Sequence, residues 1–202
     1  MECSVRPGQI VVLNGAPRSG KSSIAAAIQE RDAVWMNVGV DVARAMTPRR
    51  YQPGIGLRPG GERHSATPVV PVLYAALYES IAAHSRLGLN VVVDVGHHVV
   101  EILSDCARRL AKLPVIFVGV RCPIEIIIER RNASAPGSYA TTEEGEPIPL
   151  PILRWQHEVH AHGVYDLEVD TSVASPDECA DAILHRLRIG PPPTAFEHLA
   201  AL

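Results

Sequence analysis

Gly15, Ala16, Pro17, Arg18, Ser19, Gly20, Lys21 and Ser22 fit the spacing G-x-x-x-x-G-K-[ST], and each fixed position has a physical task. A loop of this kind turns backbone N–H groups inward, and the helix after it presents its positive end to the same point. Gly15 and Gly20 let the backbone approach phosphate oxygens and take up positive φ. Lys21 brings a mobile charge to the terminal phosphates, and Ser22 offers a hydroxyl to Mg²⁺. The binding stretch runs on to Ser23, and Arg18 either touches phosphate or projects to solvent. The motif predicts a nucleoside triphosphate site. ATP is the default and GTP stays open, while the lack of a guanine-reading N-K-x-D argues against a GTPase-type switch.

Transfer of a γ-phosphate requires the phosphate to be held, its charge neutralised and a nucleophile aimed. An acceptor hydroxyl then needs a carboxylate within reach. Asp41 is the candidate, read as ending a second strand beside the phosphate-loop strand, with a helix cap at 42–46 as its other reading. Asp94 ends the run NVVVD and reads as a carboxylate that touches Mg²⁺ through water or hydrogen-bonds Ser22; capping the next helix is the alternative. Arg130 and Arg131 precede an irregular segment, where arginines of a lid neutralise the transferring phosphate; either is otherwise a solvated helix-end cation. Arg154 is a weaker candidate of the same kind. His97 and His98 follow the Asp94 strand and are candidates for lining the acceptor site. His157, His160 and His162 lack the H-E-x-x-H spacing and are read as surface or lid residues rather than metal ligands.

These groups need a scaffold that brings strand ends together. Strand patterns at about 9–14, 34–40, 90–95, 114–122 and 165–170 alternate with helical ones at about 21–29, 68–86, 99–113, 123–132, 152–162 and 177–187. That order predicts an α/β fold: a five-stranded parallel sheet with helices on both faces and ligands at the C-terminal strand ends. Two stretches break the pattern. Residues 47–67, rich in Pro, Gly and Arg, read as a segment covering the acceptor, and 133–154 as a lid. Residues 1–189 form one expected domain, and 190–202 a tail that begins with a Pro run and reads as loosely packed.

The chain has 202 residues and a net charge of −3 with mixed signs, which argues against a nucleic-acid partner. Four cysteines lie far apart, no run reaches membrane-spanning length, and the first nine residues lack an apolar core. A soluble, cytoplasmic protein with reduced thiols and no membrane contact is expected, with room for a homo-oligomer.

VVLNGAPRSGKSSI, NVGVD at 37–41, NVVVD at 90–94, VGVRC at 118–122 and VH–YDLEVDTS at 159–172 together resemble the chloramphenicol 3-O-phosphotransferase-like family of P-loop small-molecule kinases. That family is related in fold to shikimate and adenylate kinases, and the resemblance covers most of 9–187. It implies ATP-dependent phosphorylation of a hydroxyl on a small natural product, as in antibiotic inactivation or self-resistance. It places the catalytic base on Asp41, nucleotide binding on Gly15 to Ser23 and lid function after VGVRC. Segments 47–67 and 136–151 depart from the family pattern, which points to an acceptor other than chloramphenicol; Trp35, Tyr51, Tyr74, Tyr78 and Trp155 are its candidate stacking platforms. A primary-metabolite kinase (nucleoside, sugar or shikimate-like) is the alternative, and a nucleotide-binding switch without acceptor a weaker one.

Overall fold

The computed structural model describes residues 6–31, 33–52, 64–135, 141–142 and 145–202. The elements run β1 (Ile10–Asn14), α1 (Lys21–Gln29), β2 (Trp35–Asn37), α2 (Val40–Met46), α3 (Val70–Arg86), β3 (Asn90–Val95), α4 (Val100–Leu110), β4 (Val115–Arg121), α5 (Ile124–Asn132), α6 (Leu150–Glu158), β5 (Leu167–Asp170), α7 (Pro176–Ile189) and α8 (Ala195–Ala200). The strands form one all-parallel sheet in the order β2-β3-β1-β4-β5.

Successive side chains of a strand point to opposite faces, and the two cores follow that alternation. Ile10 and Val12 of β1, Val91 and Val93 of β3 and Phe117 of β4 pack with α3, α4 and α8. Val11, Leu13, Val92, Ile116 and Val118 pack on the other face with Ile24 and Ile28 of α1 and Cys179 and Ile183 of α7. A strand covered on both faces must be apolar throughout, and no residue of β1 is exposed.

The sequence reading needs correction in three places. The second strand stops at Asn37 and pairs with β3, so β3 and not β2 lies beside the phosphate-loop strand. Gly39, in extended backbone, turns the chain into α2, and Asp41 falls in that helix's first turn rather than at a strand end. The tail is not loosely packed. Ala195, Phe196 and Leu199 of α8 are buried against β4 and α4, and Asp166 clips the helix start by accepting from Thr194 N at 2.7 Å and Ala195 N at 3.0 Å.

Of the segment read as covering the acceptor, residues 53–63 lie outside the described residues, as do 136–140 and 143–144 of the lid segment and Cys3.

Candidate active site

The sheet order reverses at β1: β3 lies on one side of it and β4 on the other. Connections leave in opposite directions there, which opens a crevice at the C-terminal strand ends. The crevice is a cleft of ≈ 500 Å³. Gly15, Pro17, Arg18 and Gly20 to Ser23 form its floor, Asp94 and Asp41 one side, and Arg130 and Thr171 the other.

The loop's shape follows from a few contacts. A Cβ at Gly15 would stand 2.6 Å from Val120 O, so close approach to β4 is what requires glycine there. The positive φ predicted for both glycines occurs at Gly20 (98°) and at Arg18 (72°), not at Gly15. Gly20 caps α1, so the first N–H groups of the helix open onto the cleft. Ala16 and Ser19 are buried and do not line it. Ala16 instead offers its carbonyl to Lys21 Nζ at 2.9 Å.

Burial pushes the Lys21 ammonium below its usual pKa, and the carboxylates of Asp94 and then Asp41 oppose that shift. Lys21 Nζ lies 3.6 Å from Asp94 Oδ1, and Ser22 Oγ donates to Asp94 Oδ2. Asp94 thus touches both side chains of the motif that face phosphate and metal. Asp41, with its side chain 68 % exposed, borders the same cleft and takes Arg44 Nε at 3.1 Å.

Arg130 and Arg131 are separated by the helix that carries both. Arg130 reaches back to the cleft and donates to Thr171 Oγ1 at 3.0 Å and Thr171 O at 2.7 Å, while Arg18 donates to Arg130 O at 2.5 Å. Thr171 Oγ1 donates in turn to Ser19 O at 2.7 Å. The loop, α5 and the start of the post-β5 turn are thereby tied into one wall. Arg131 points away: it is buried at 3 % exposure beside Ile127 and Ile152, under the loop and outside the cleft. Arg154 is paired with Glu158 at 3.0 Å on the outside of α6.

The histidines depart further from expectation. His97 does not border the cleft. It is buried against Tyr78, whose hydroxyl lies 2.8 Å from Nε2, and burial pulls its pKa down to about 3. His98 packs on Trp155 with ring centroids 4.0 Å apart and does not line the cleft. His160 follows the end of α6, so it shares no helix face with His157, and its Nδ1 meets Tyr165 Oη at 2.6 Å. Among the described residues no cluster of His, Cys, Asp or Glu could hold a metal by itself.

Of the candidate platforms, Tyr74 and Trp155 border the cleft, whereas Trp35 and Tyr78 belong to the core and Tyr51 lies outside the cleft. Gly96 leaves room for Trp155, since a Cβ there would stand 2.8 Å from the indole.

Asn14 escaped the sequence reading. It is fully buried; Nδ2 donates to Val159 O and Tyr165 Oη, both at 2.8 Å, and Oδ1 accepts from His97 N at 2.7 Å. It fastens the root of the phosphate loop to the turns after β3 and α6. A polar residue closing an otherwise apolar strand was the available signal, because a buried amide must find partners.

The model of the chloramphenicol phosphotransferase-like protein family matches residues 8–188. The chain is 27% identical over 207 residues to the candidate O-phosphotransferase Rv2636 of Mycobacterium tuberculosis strain H37Rv, covering 95% of this chain and 88% of that one. Among solved structures, shikimate kinase from Acinetobacter baumannii in complex with shikimate superposes with a TM-score of 0.58 at 12% identity, over 89% of this chain and 93% of that one. The APS kinase CysC of Mycobacterium tuberculosis in complex with AMPPNP and APS does so with 0.58 at 16%, over 91% and 99%. These two likenesses show the P-loop kinase fold. Among the described residues no helix is long and apolar enough to cross a membrane.

Proposed function

The chain belongs to the chloramphenicol phosphotransferase-like family of O-phosphotransferases, and from that premise we propose that it moves the γ-phosphate of ATP to a hydroxyl of a small natural product, in antibiotic inactivation or self-resistance. The observation that carries this reading is the convergence on one cleft of the phosphate loop, Asp94 and Asp41. The loop's N–H groups and Lys21 hold the phosphates, and Arg18 and Arg130 stand on the side away from Asp41. Asp41 takes the proton of the acceptor hydroxyl. The hydroxyl oxygen forms the new bond to Pγ, the bond from Pγ to the β,γ-bridging oxygen breaks, and ADP leaves with that electron pair. The proton passes from Asp41 to solvent.

The residues fit a magnesium ion. Ser22 Oγ and the Asp94 carboxylate meet beside Lys21, a hard-oxygen pair of the kind that holds Mg²⁺ directly or through water. When bound, the ion neutralises charge on the β- and γ-phosphates.

The test is transfer of label from [γ-³²P]ATP to two acceptor sets: hydroxylated antibiotics and related natural products, and nucleosides, sugars and shikimate. The reading expects a labelled phosphate monoester from the first set. Label found only in the second set would make the chain a primary-metabolite kinase, and label found only in inorganic phosphate would make it a nucleotide switch.

A further inference from the structure

The phosphate cleft does not end at Asp41. Beyond Val40 and Tyr74, which border both spaces, a smaller hollow of ≈ 90 Å³ opens between α2 and α3. Ala43, Leu73 and Leu77 make its walls apolar. Two of its uncharged polar side chains are engaged with the backbone: Thr47 Oγ1 donates to Ala43 O at 2.9 Å, and Gln52 Nε2 donates to Thr47 O at 2.7 Å and Arg44 O at 2.9 Å; the third, Tyr74, is shared with the cleft. Among the described residues one charged side chain lines it, Arg44. The Nε of Arg44 is held on Asp41, and its terminal nitrogens hydrogen-bond no described residue.

We propose that Arg44 selects the acceptor, by gripping a second oxygen next to the hydroxyl that Asp41 receives while the acceptor's apolar body fills the hollow between α2 and α3. This rests on the reading of Asp41 as the base. Asp41 and Arg44 are in contact and one helical turn apart, so the groups they bind must also be neighbours. A guanidinium offers several donors in a fixed fork, and one edge can hold the carboxylate while the other takes a ligand oxygen. The hollow takes a short branched chain or one edge of a ring, and its walls reward an apolar one. The acceptor class that follows is an alcohol with a vicinal oxygen, such as an α-hydroxy carbonyl compound or a 1,2-diol, carried on an apolar body.

An i,i+3 ion pair on a helix surface also occurs as a minor stabilising contact. That role would leave ligand selectivity untouched, so selectivity is the readout. The probes are methyl mandelate and 1-phenylethanol, which share a phenyl ring and a secondary hydroxyl and differ in the neighbouring ester. Binding is followed by ligand-observed NMR with Mg²⁺ and a non-hydrolysable ATP analogue present. Wild type should bind methyl mandelate about tenfold more tightly, the effect of one charge-assisted hydrogen bond. Arg44→Leu should bring the ratio close to one, and Arg44→Lys should keep part of it. Leu73→Gln should weaken both probes alike, with affinity for the nucleotide analogue unchanged.

Equal binding of the two probes by wild type, an undiminished ratio in Arg44→Leu, or failure of both probes to bind would overturn the assignment. Phosphoryl transfer to methyl mandelate is scored separately. Selective binding without transfer would support Arg44 and count against the phosphotransferase reading, whereas transfer without selectivity would count against Arg44 alone.

Discussion

Burial disfavours the Lys21 ammonium and Asp94 beside it opposes that shift, and the same carboxylate holds Ser22. Replacing Asp94 by Asn removes the counter-charge, so the buried ammonium loses its main support and the hydroxyl its anionic partner. Affinity for Mg·ATP should fall by about tenfold or more, the scale of a lost charge-assisted contact, as read by calorimetric titration; unchanged affinity would contradict the role given to Asp94. Arg130→Ala should also weaken nucleotide binding by removing a cation from the cleft wall and unfastening α5 from Thr171. Arg131→Ala should instead show itself in melting temperature, since that residue is buried away from the cleft. His97 sets a pH limit on stability. Its folded pKa of about 3 lies below the ordinary value of 6.5, so the unfolded chain takes up the proton first as pH falls. The stability is whole above pH 6.5 and is lost between there and about 3. His97 alone should remove about 2 kcal/mol between pH 6.5 and 5, with His160 and His162 adding in the same direction. Urea unfolding should show a shallower acid slope in His97→Gln, and an identical slope would contradict the assignment.

α2 carries Asp41 yet buries none of its own residues. It is positioned by Gly39 at its start and by Gln52, which holds the carbonyls of Arg44 and Thr47 near its end. Such an element rests on a few contacts, and its placement was not legible as a pattern: Val34 to Val40 reads as one apolar strand, and only three residues pair with β3. The phosphate loop was legible because its chemistry is local, with strand, glycine turn and helix following one another in the chain. The His97 and Asn14 contacts span 83 and 145 residues, and no local spacing encodes partners so distant. α8 has the same origin. Its three buried residues look like any short amphipathic piece behind a Pro run, and only the cover it gives to Phe117 makes it structural. Phe196→Ala should cost about 3–5 kcal/mol, the usual range for a buried phenyl, measured by chemical denaturation with nucleotide binding retained. A cost below about 1 kcal/mol, the range of surface substitutions, would return the tail to the surface.

At the scale of the molecule, alternating strands and helices made the α/β class readable, because buried parallel strands are continuous apolar runs. The order β2-β3-β1-β4-β5 was less so, since pairing is decided by which helices cover which face rather than by sequence adjacency. That order places β3 beside β1 and so brings Asp94 onto the phosphate loop, while Asp41 comes to the cleft on a helix beyond it. The proposed chemistry turns on Asp41 receiving the proton of an acceptor hydroxyl as the γ-phosphate leaves ATP. Its most direct test compares wild type with Asp41→Asn in two readings: calorimetric affinity for Mg·ATP, and label transferred from [γ-³²P]ATP to the acceptor set. Affinity should stay within about twofold while transfer falls by about 10²-fold or more, the usual contribution of a general base. Transfer by Asp41→Asn at the wild-type rate would contradict the claim.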